Sequence, residues 1–329
     1  MILLPVNEPS QVGAARRRAV QEAQGLGLDD ERCDRIAIIV TELATNLLRH
    51  ASEGEILLSP AAGPIAGLHI LGTDCGPGLP SIEAALTDGF STATDSPGGI
   101  GGGLGAIRRL SDDLDIHSDP AGTTLVATVG GGPPAPDGDC AGLIVPKPGH
   151  ASGGDIWSFR VEPTRTIVML LDILGHGSKA AEIAEQGRDA FDNTADLPLE
   201  ELEAAVADAL VGDRGAASMI VEVPHGDGTL RAVGLGNVRG EIVHGTRRQG
   251  LLSAPGILGS GARRSKAIEH EWHAGSLLVL ATDGLKTHGQ GGEPQSLYAR
   301  RPLTIATTLY RRYRRGTDDC GVVVLKSAA

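Results

Sequence analysis

The chain has 329 residues, enough for two domains that each bury a core, and its 41% hydrophobic share excludes a disordered or membranous composition. Its formal charge of −12 argues against nucleic acid, which would repel an acidic surface. The excess is uneven, with 8 Lys+Arg against 17 Asp+Glu in residues 1 to 135 and 21 against 24 in the remainder.

Taken in chain order, "QVGAARRRAVQEAQGLG" predicts a helix closing near Gly25 to Gly27. "LDDERCDRIAIIVTELATNLLRHA" predicts a second, with Asp29 or Asp30 able to cap its start. "GEILLSP" and "GLHILGTDCGPG" read as strands ending in turns. "GGIGGGLGAIRRLSD" is a glycine loop entering a helix, followed by strand-like "LDIHSD" and "TTLVATV". The segment "GGGPPAPDGD" has no apolar period and marks a linker.

Beyond it come short strands around Asp155 and "RTIVMLLDILGHG", then helices at "SKAAEIAEQGRDAF" and "LEELEAAVADALV". Strands follow at "ASMIVEV", "LRAVGLGN", "RGEIVHG" and "GSLLVLATDG", with a late helix near "RPLTIATTLYRRY" and a final strand "CGVVVLKS". The pattern predicts an α+β fold in two domains: 1–130, a linker at 131–139, and 140–329. The basic run "RRYRR" at 311 to 315 is a candidate anion patch, with solvated helix surface the favoured reading.

No apolar run approaches the ~20 residues needed to span a bilayer, so no membrane is expected. "MILLPVNEPS" lacks the basic start and long apolar core of a secretion signal. Cys33, Cys75, Cys140 and Cys320 have no close pairs, which indicates neither a zinc site nor a disulfide framework. The expected location is the cytoplasm.

Chemistry concentrates in two places. On the second helix, Ile36, Val40, Leu43 and Leu47 form an apolar stripe, with Glu42 and Asn46 four apart on its shoulder and His50 a turn further on. The strand end "DCGPG" adds Asp74, Gly76 and Gly78, and the glycine loop adds Gly98, Gly99, Gly101, Gly102, Gly103 and Gly105. Singly, these are a solvated helix face, a turn and a surface loop. Jointly, they fit a nucleotide. Backbone N–H groups at a helix start suit phosphates, an Asn oxygen can hold Mg²⁺, a nearby carboxylate can orient or deprotonate a hydroxyl, and Asp74 can accept from an adenine amino group.

"TELATNLLRHA", "GTDCGPG" and "GGIGGGLGAIRRLSDDLDIHSDPAGTT" together resemble the ATPase fold shared by gyrase, Hsp90, histidine kinases and MutL, the GHKL superfamily. Within it they are most similar to the RsbT and anti-sigma-factor branch of bacterial serine kinases. The resemblance implies an α/β sandwich with helices on one face of a mixed sheet. It implies Asn46 as the Mg²⁺ ligand, Glu42 as the catalytic carboxylate and Asp74, with Gly76 and Gly78, at adenine. Gly99, Gly101, Gly103, Leu104 and Gly105 would belong to the ATP lid, with Thr123 near the base. His50 reads as a packing histidine and not a phosphoacceptor, because no dimerisation helices precede it.

In the second half aspartates recur at apolar strand ends: Asp155, Asp172, Asp283, Asp318 and Asp319. Aspartate commonly ends strands in turns. Several converging at one end of a sandwich would instead repel unless cations lay between them, and an all-oxygen cluster suits Mg²⁺ or Mn²⁺. "GGD", "DILGHG", "GLGN", "ATDG" and "DDCGVVVL" resemble, in order, the SpoIIE-type branch of metal-dependent serine/threonine phosphatases, particularly its RsbX-like members. The resemblance implies an α/β/β/α sandwich holding two Mn²⁺ or Mg²⁺. It implies Asp172 as bridging and catalytic ligand with the carbonyl of Ile173, Asp283 and Asp318 as further ligands, and Asp155 as a ligand or an acid behind one. His176 is either a general acid or a turn-shaping residue. Ser158 and Phe159 stand where many relatives carry another acid, and the regulatory helices of larger relatives are missing, which implies a compact, constitutively active phosphatase.

The two resemblances together imply a bifunctional partner-switching regulator. One domain would phosphorylate a serine or threonine of a STAS-domain protein with ATP and Mg²⁺. The other would remove such phosphates, in a pathway controlling a sigma factor or another output. The alternative is an ATP-dependent, anti-sigma-factor-like binding protein whose only enzymatic activity is the phosphatase.

Overall fold

The computed structural model describes residues 1–61, 63–87, 103–132, 140–194, 196–261, 265–286 and 293–327. The chain divides into two units, Met1–Pro134 and Ala135–Ala329. Among the described residues no helix is long and apolar enough to cross a membrane.

The first unit runs β1 (Ile2–Val6), α1 (Pro9–Gly25), α2 (Asp30–His50), β2 (Gly54–Ala61), β3 (Gly67–Thr73), α3 (Ile82–Ala85), α4 (Gly103–Leu110), β4 (Asp113–Asp119) and β5 (Gly122–Gly130). A capping box between Glu8 and Gln11 opens α1, with Pro9 where a missing N–H costs nothing. Its buried face is an alanine stripe, Ala15, Ala19 and Ala23, whose small side chains let α2 pack closely. The Asp29 carboxylate caps α2 by accepting from the Arg32 N–H, and Asp30, Glu31, Arg49 and His50 oppose the helix dipole at the correct ends. All four predicted stripe residues of α2 are buried in the core.

The sheet order is β1-β2-β3-β5-β4, and every neighbouring pair is antiparallel. The expected mixed sheet is corrected on that point. The tight hairpin pairing Asp119 with Gly122 folds β5 back between β3 and β4, so these two, which share a direction, never touch. Residues two apart, such as Ile56 and Leu58 or Leu68 and Ile70, meet the helices in one core. Glycines lie under two contact points of α2: a Cβ on Gly72 would come 2.5 Å from Leu43 Cδ1, and one on Gly54 2.8 Å from Leu47 Cβ.

The second unit runs β6 (Cys140–Val145), β7 (Asp155–Val161), β8 (Arg165–Ile173), α5 (Ser178–Asp192), α6 (Leu199–Ala209), β9 (Ala216–Pro224), β10 (Gly228–Leu235), β11 (Arg239–His244) and β12 (Arg247–Leu251). It closes with β13 (Ile268–Trp272), β14 (Leu277–Ala281), α7 (Gln295–Tyr298), α8 (Pro302–Tyr313) and β15 (Cys320–Lys326). The sheets are β13-β10-β9-β8-β7 and β12-β11-β14-β15-β6.

Alternation in β8 explains its nearly continuous apolar run. Val168 and Leu170 face the second sheet, meeting Leu278, Leu280 and Val323. Ile167, Met169, Leu171 and Ile173 face α5 and α6 through Ile183, Phe191, Leu202 and Val206. On the far side α8 packs on β15 and β6, completing an α/β/β/α sandwich.

Most of the run at 311 to 315 is not a solvated surface, and only Arg315 is exposed. Arg311 is only 6% exposed, Arg312 pairs with Glu293, and the Arg314 guanidinium lies over the Tyr310 ring. Long basic side chains on a helix bury their stems and find local partners, so their charge alone does not place them in water.

Candidate functional site

In the first unit α2 crosses the sheet with Glu42 and Asn46 half-buried at the edge of its apolar face. The N-terminus of α4 lies directly against them. A Cβ on Gly103 would stand 3.1 Å from Asn46 Nδ2, 3.2 Å from Asn46 Oδ1 and 3.2 Å from Glu42 Oε2. A carboxylate and an amide oxygen thus share one spot with the first N–H groups of a helix, which carry partial positive charge.

A second group gathers at the end of β3. Asp74 Oδ1 accepts from Gly76 N at 2.6 Å and Thr123 N at 3.3 Å, and Asp74 N donates to Thr123 O at 3.0 Å. Gly122, at φ +138°, permits this approach, since a Cβ there would sit 2.1 Å from Asp74 O. Gly78, at φ +77°, passes equally close to Asp119 O. Ser118 Oγ joins the cluster, accepting from Leu79 N and bonding Thr123 Oγ1 at 2.8 Å.

Of the predicted residues, Glu42, Asn46 and Gly103 come together, as do Asp74, Gly76, Gly78 and Thr123. Leu104 packs against the core and Gly105 is buried. The His50 imidazole is exposed at the helix end. Gly99 and Gly101, with most of the predicted lid, lie outside the described residues.

In the second unit Asp155 and Asp172 are direct partners across β7 and β8. Burial, then the charges of Asp283, Asp318 and Asp319, push the Asp172 carboxyl up to about 7, against a hydrogen bond with Asp155. Asp155 is pushed well above the ordinary carboxylate range by burial and the charge of Asp172, with Asp319 and Asp283 adding to it and a Thr282 hydrogen bond opposing. The two sheets therefore aim acids at one region from β7, β8 and the ends of β14 and β15. Among the described residues no three His, Cys, Asp or Glu side chains are already closed around one metal position. The donor set is all oxygen, and its mutual repulsion is what a hard divalent cation would relieve.

Residues that the sequence reading did not single out support this cluster. Thr282 Oγ1 donates to Asp155 Oδ2 at 2.8 Å and accepts from Gly321 N at 2.8 Å. Asn237 Nδ2 donates to Asp283 Oδ2 at 2.7 Å, and Arg315 Nε donates to the Asp283 carbonyl at 2.7 Å. Asp318 is exposed, whereas Asp319 is buried and its carboxylate accepts from Lys147 N and Gly154 N, each at 2.7 Å. Asp319 is thus a clamp on the loop before β7. Thr282 and Asn237 stand within the motifs "ATDG" and "GLGN", but only the sheet order brings them to their partners. The Ile173 carbonyl lies against Gly154, where a Cβ would approach within 2.8 Å. The His176 ring tilts against His150 with 4.5 Å between centroids.

Residues 6–129 match the histidine kinase-like ATPase domain, and residues 162–327 match Stage II sporulation protein E, SpoIIE. The chain belongs to the SpoIIE family and carries a histidine kinase-like ATPase domain. Its first unit is similar to the serine/threonine-protein kinase RsbT of Bacillus subtilis (strain 168), 37% identical over 106 residues covering 32% of this chain and 77% of RsbT. The SpoIIE unit is similar to the phosphoserine phosphatase RsbX of the same organism, 26% identical over 141 residues, 42% of this chain and 70% of RsbX. A solved chain from the bacterial stressosome superposes with a TM-score of 0.51 at 23% identity, covering 57% of this chain and 99% of its own. The RsbU and RsbW domains of a Mycobacterium tuberculosis protein superpose with a TM-score of 0.51 at 22% identity, covering 60% of this chain and 63% of theirs. These structural likenesses show the fold.

Proposed function

We propose that this member of the SpoIIE family is a bifunctional regulator that adds phosphate to serine or threonine of a partner protein and removes it. The observation that carries the reading is the convergence of Asp155, Asp172, Asp283 and Asp318 in the unit that follows a nucleotide-type cleft. The likeness to RsbT and RsbX, a named kinase and a named phosphatase, supports the pairing.

In the first unit Asn46 would hold Mg²⁺ through its side-chain oxygen, and Asp74 would accept from the adenine amino group of ATP. Bound Mg²⁺ would neutralise charge on the transferring phosphate. Glu42, beside the α4 N-terminus, orients or deprotonates the incoming hydroxyl. Gly103 keeps the space between these side chains open, since any larger residue would enter it.

In the second unit Asp172, the Ile173 carbonyl, Asp283 and Asp318 would hold two Mn²⁺ or Mg²⁺, with Asp155 a ligand or the acid behind one. Such a pair supplies a water activated for attack on a phosphate ester. Thr282 fixes the Asp155 carboxylate, Asn237 fixes that of Asp283, and Asp319 holds the entrance loop in place.

STAS-domain proteins are the substrate class this reading names, and a sigma factor or another output protein is the downstream partner. Incubating the purified chain with ATP, Mg²⁺ and a STAS-domain protein should give a phosphorylated serine or threonine by mass spectrometry, lost in Glu42→Ala. Tight, ATP-dependent binding of the partner with no phosphotransfer would favour the sequestering alternative. Adding Mn²⁺ to the phosphorylated partner should release phosphate. Release that survives Asp172→Ala would overturn the metal assignment.

A further inference from the structure

The loop that follows Asp172 is gripped from a second side. Leu174 N donates to Gly215 O at 3.1 Å, tying this loop to the segment before β9. From that segment Arg214 reaches over the loop: Gly175 sits at φ +103°, and a Cβ there would meet Arg214 Nη1 at 2.4 Å. The guanidinium thus lies on the chain three residues beyond Asp172, and it is exposed. Among the described residues no carboxylate pairs with it, in a unit where Arg160, Arg165, Arg231 and Arg248 all have acid partners.

The next residue, Gly215, has an apolar neighbour. Gly215, at φ +75°, packs on Ile257, with a built Cβ 2.4 Å from Ile257 Cγ2. Leu174 and Ile257, which both contact Gly215, are exposed, at 43% and 40%. The Arg214 guanidinium thus lies over Gly175, three residues beyond Asp172, on a loop tied at Leu174 to Gly215, which packs on Ile257. A fork of N–H donors matches the oxygens of a phosphate better than any other side chain does.

We propose that Arg214 recognises the phosphoryl group of the substrate, and that Leu174 and Ile257 seat an apolar side chain flanking the phosphoserine or phosphothreonine. The occupant is an extended phosphorylated segment of a partner protein, because the guanidinium lies over the loop that leaves Asp172 and is opposite in charge to a phosphate dianion. Arg214 is a binding residue in this scheme: it takes and releases no proton. The inference rests on the phosphatase reading of this unit.

The test uses the full chain with Mn²⁺, p-nitrophenyl phosphate, and two phosphothreonine peptides that carry either Leu or Ser beside the phosphoresidue. Arg214→Gln should raise KM for all three substrates, and Ki for inorganic phosphate, by about tenfold, with Mn²⁺ affinity by calorimetry unchanged. Arg214→Lys, which keeps the charge but not the fork, should fall between. Ile257→Ser should raise KM several-fold for the Leu peptide alone. An unchanged Ki for phosphate in Arg214→Gln overturns the assignment. So does loss of Mn²⁺ binding in that variant, which would make Arg214 a support for the loop. Should the wild type cleave none of the three, the phosphatase reading fails by itself, and calorimetric titration of inorganic phosphate into Mn²⁺-loaded protein still decides the role of Arg214.

Discussion

Asp155 and Asp172 face each other directly in the β7–β8 pairing, and the charge of Asp172 helps push the Asp155 carboxyl above its ordinary range. Two acids on adjoining strands, both largely withdrawn from water, are costly to the fold until a cation lies between them. Mn²⁺ should therefore raise the melting temperature of the wild type by several degrees through binding to the native state. Asp172→Asn removes a charge from the cluster, so without metal it should melt at or above the wild type, and its response to Mn²⁺ should vanish. A wild-type-sized Mn²⁺ shift in Asp172→Asn would place the ion elsewhere.

Asp319 holds two backbone N–H groups with one carboxylate, at Lys147 and Gly154. Asp319→Ala leaves both donors without that partner and should cost roughly 2–4 kcal/mol. Asp319→Asn should also destabilise, since its amide NH₂ would face an N–H donor. Amide hydrogen exchange at Lys147 and Gly154 reads the effect locally. Protection unchanged in Asp319→Ala would show that the loop is held by other means.

Gly72 is where α2 rests on β3, with Leu43 against its Cα. Gly72→Ala places a methyl in that contact and should destabilise the first unit by about 1–3 kcal/mol. Because Glu42 is the neighbour of Leu43, nucleotide affinity should fall in the same variant. Phosphatase activity of the second unit is the internal control, and ATP titration by calorimetry supplies the measurement.

His69 lies on β3 with Nδ1 2.9 Å from Thr128 Oγ1, and burial pushes its imidazole down from 6.5 to about 4. The folded state then binds the proton less well than the unfolded chain. Stability from this group is whole above about pH 6.5 and declines as pH falls toward 4, by on the order of 2–3 kcal/mol. His69→Gln should flatten the pH dependence of unfolding between those values. Denaturant melts at pH 7, 5.5 and 4.5 would reveal parallel losses in both proteins if the imidazole were not responsible.

Strong periodicity made some elements readable before any coordinates. The four stripe residues of α2 recur at helical spacing, and the apolar run in β8 has the length of a strand buried on both faces. By contrast β12, "RRQGL", and β13, "IEHEW", are five-residue edge strands rich in charged residues. Their partners, not their own sequence, make them strands. The same limit applies at the acid cluster. "ATDG" and "DD" announce carboxylates, yet nothing local separates the exposed Asp318 from the buried Asp319. The position of Arg214 is illegible for a related reason, because its proximity to Gly175 depends on two loops meeting in space.

The opposite fates of Asp318 and Asp319 make strand registration part of the chemistry. Both precede β15, whose pairing with β14 and β6 sets which carboxylate turns inward. Inserting a serine between Asp319 and Cys320 would push Asp319 out to the exposed position and leave the clamp position to the newcomer, while both aspartates stay in the sequence. Such a variant would still read as a phosphatase to any search for motifs, and it would be a protein whose entrance loop has nothing to hold.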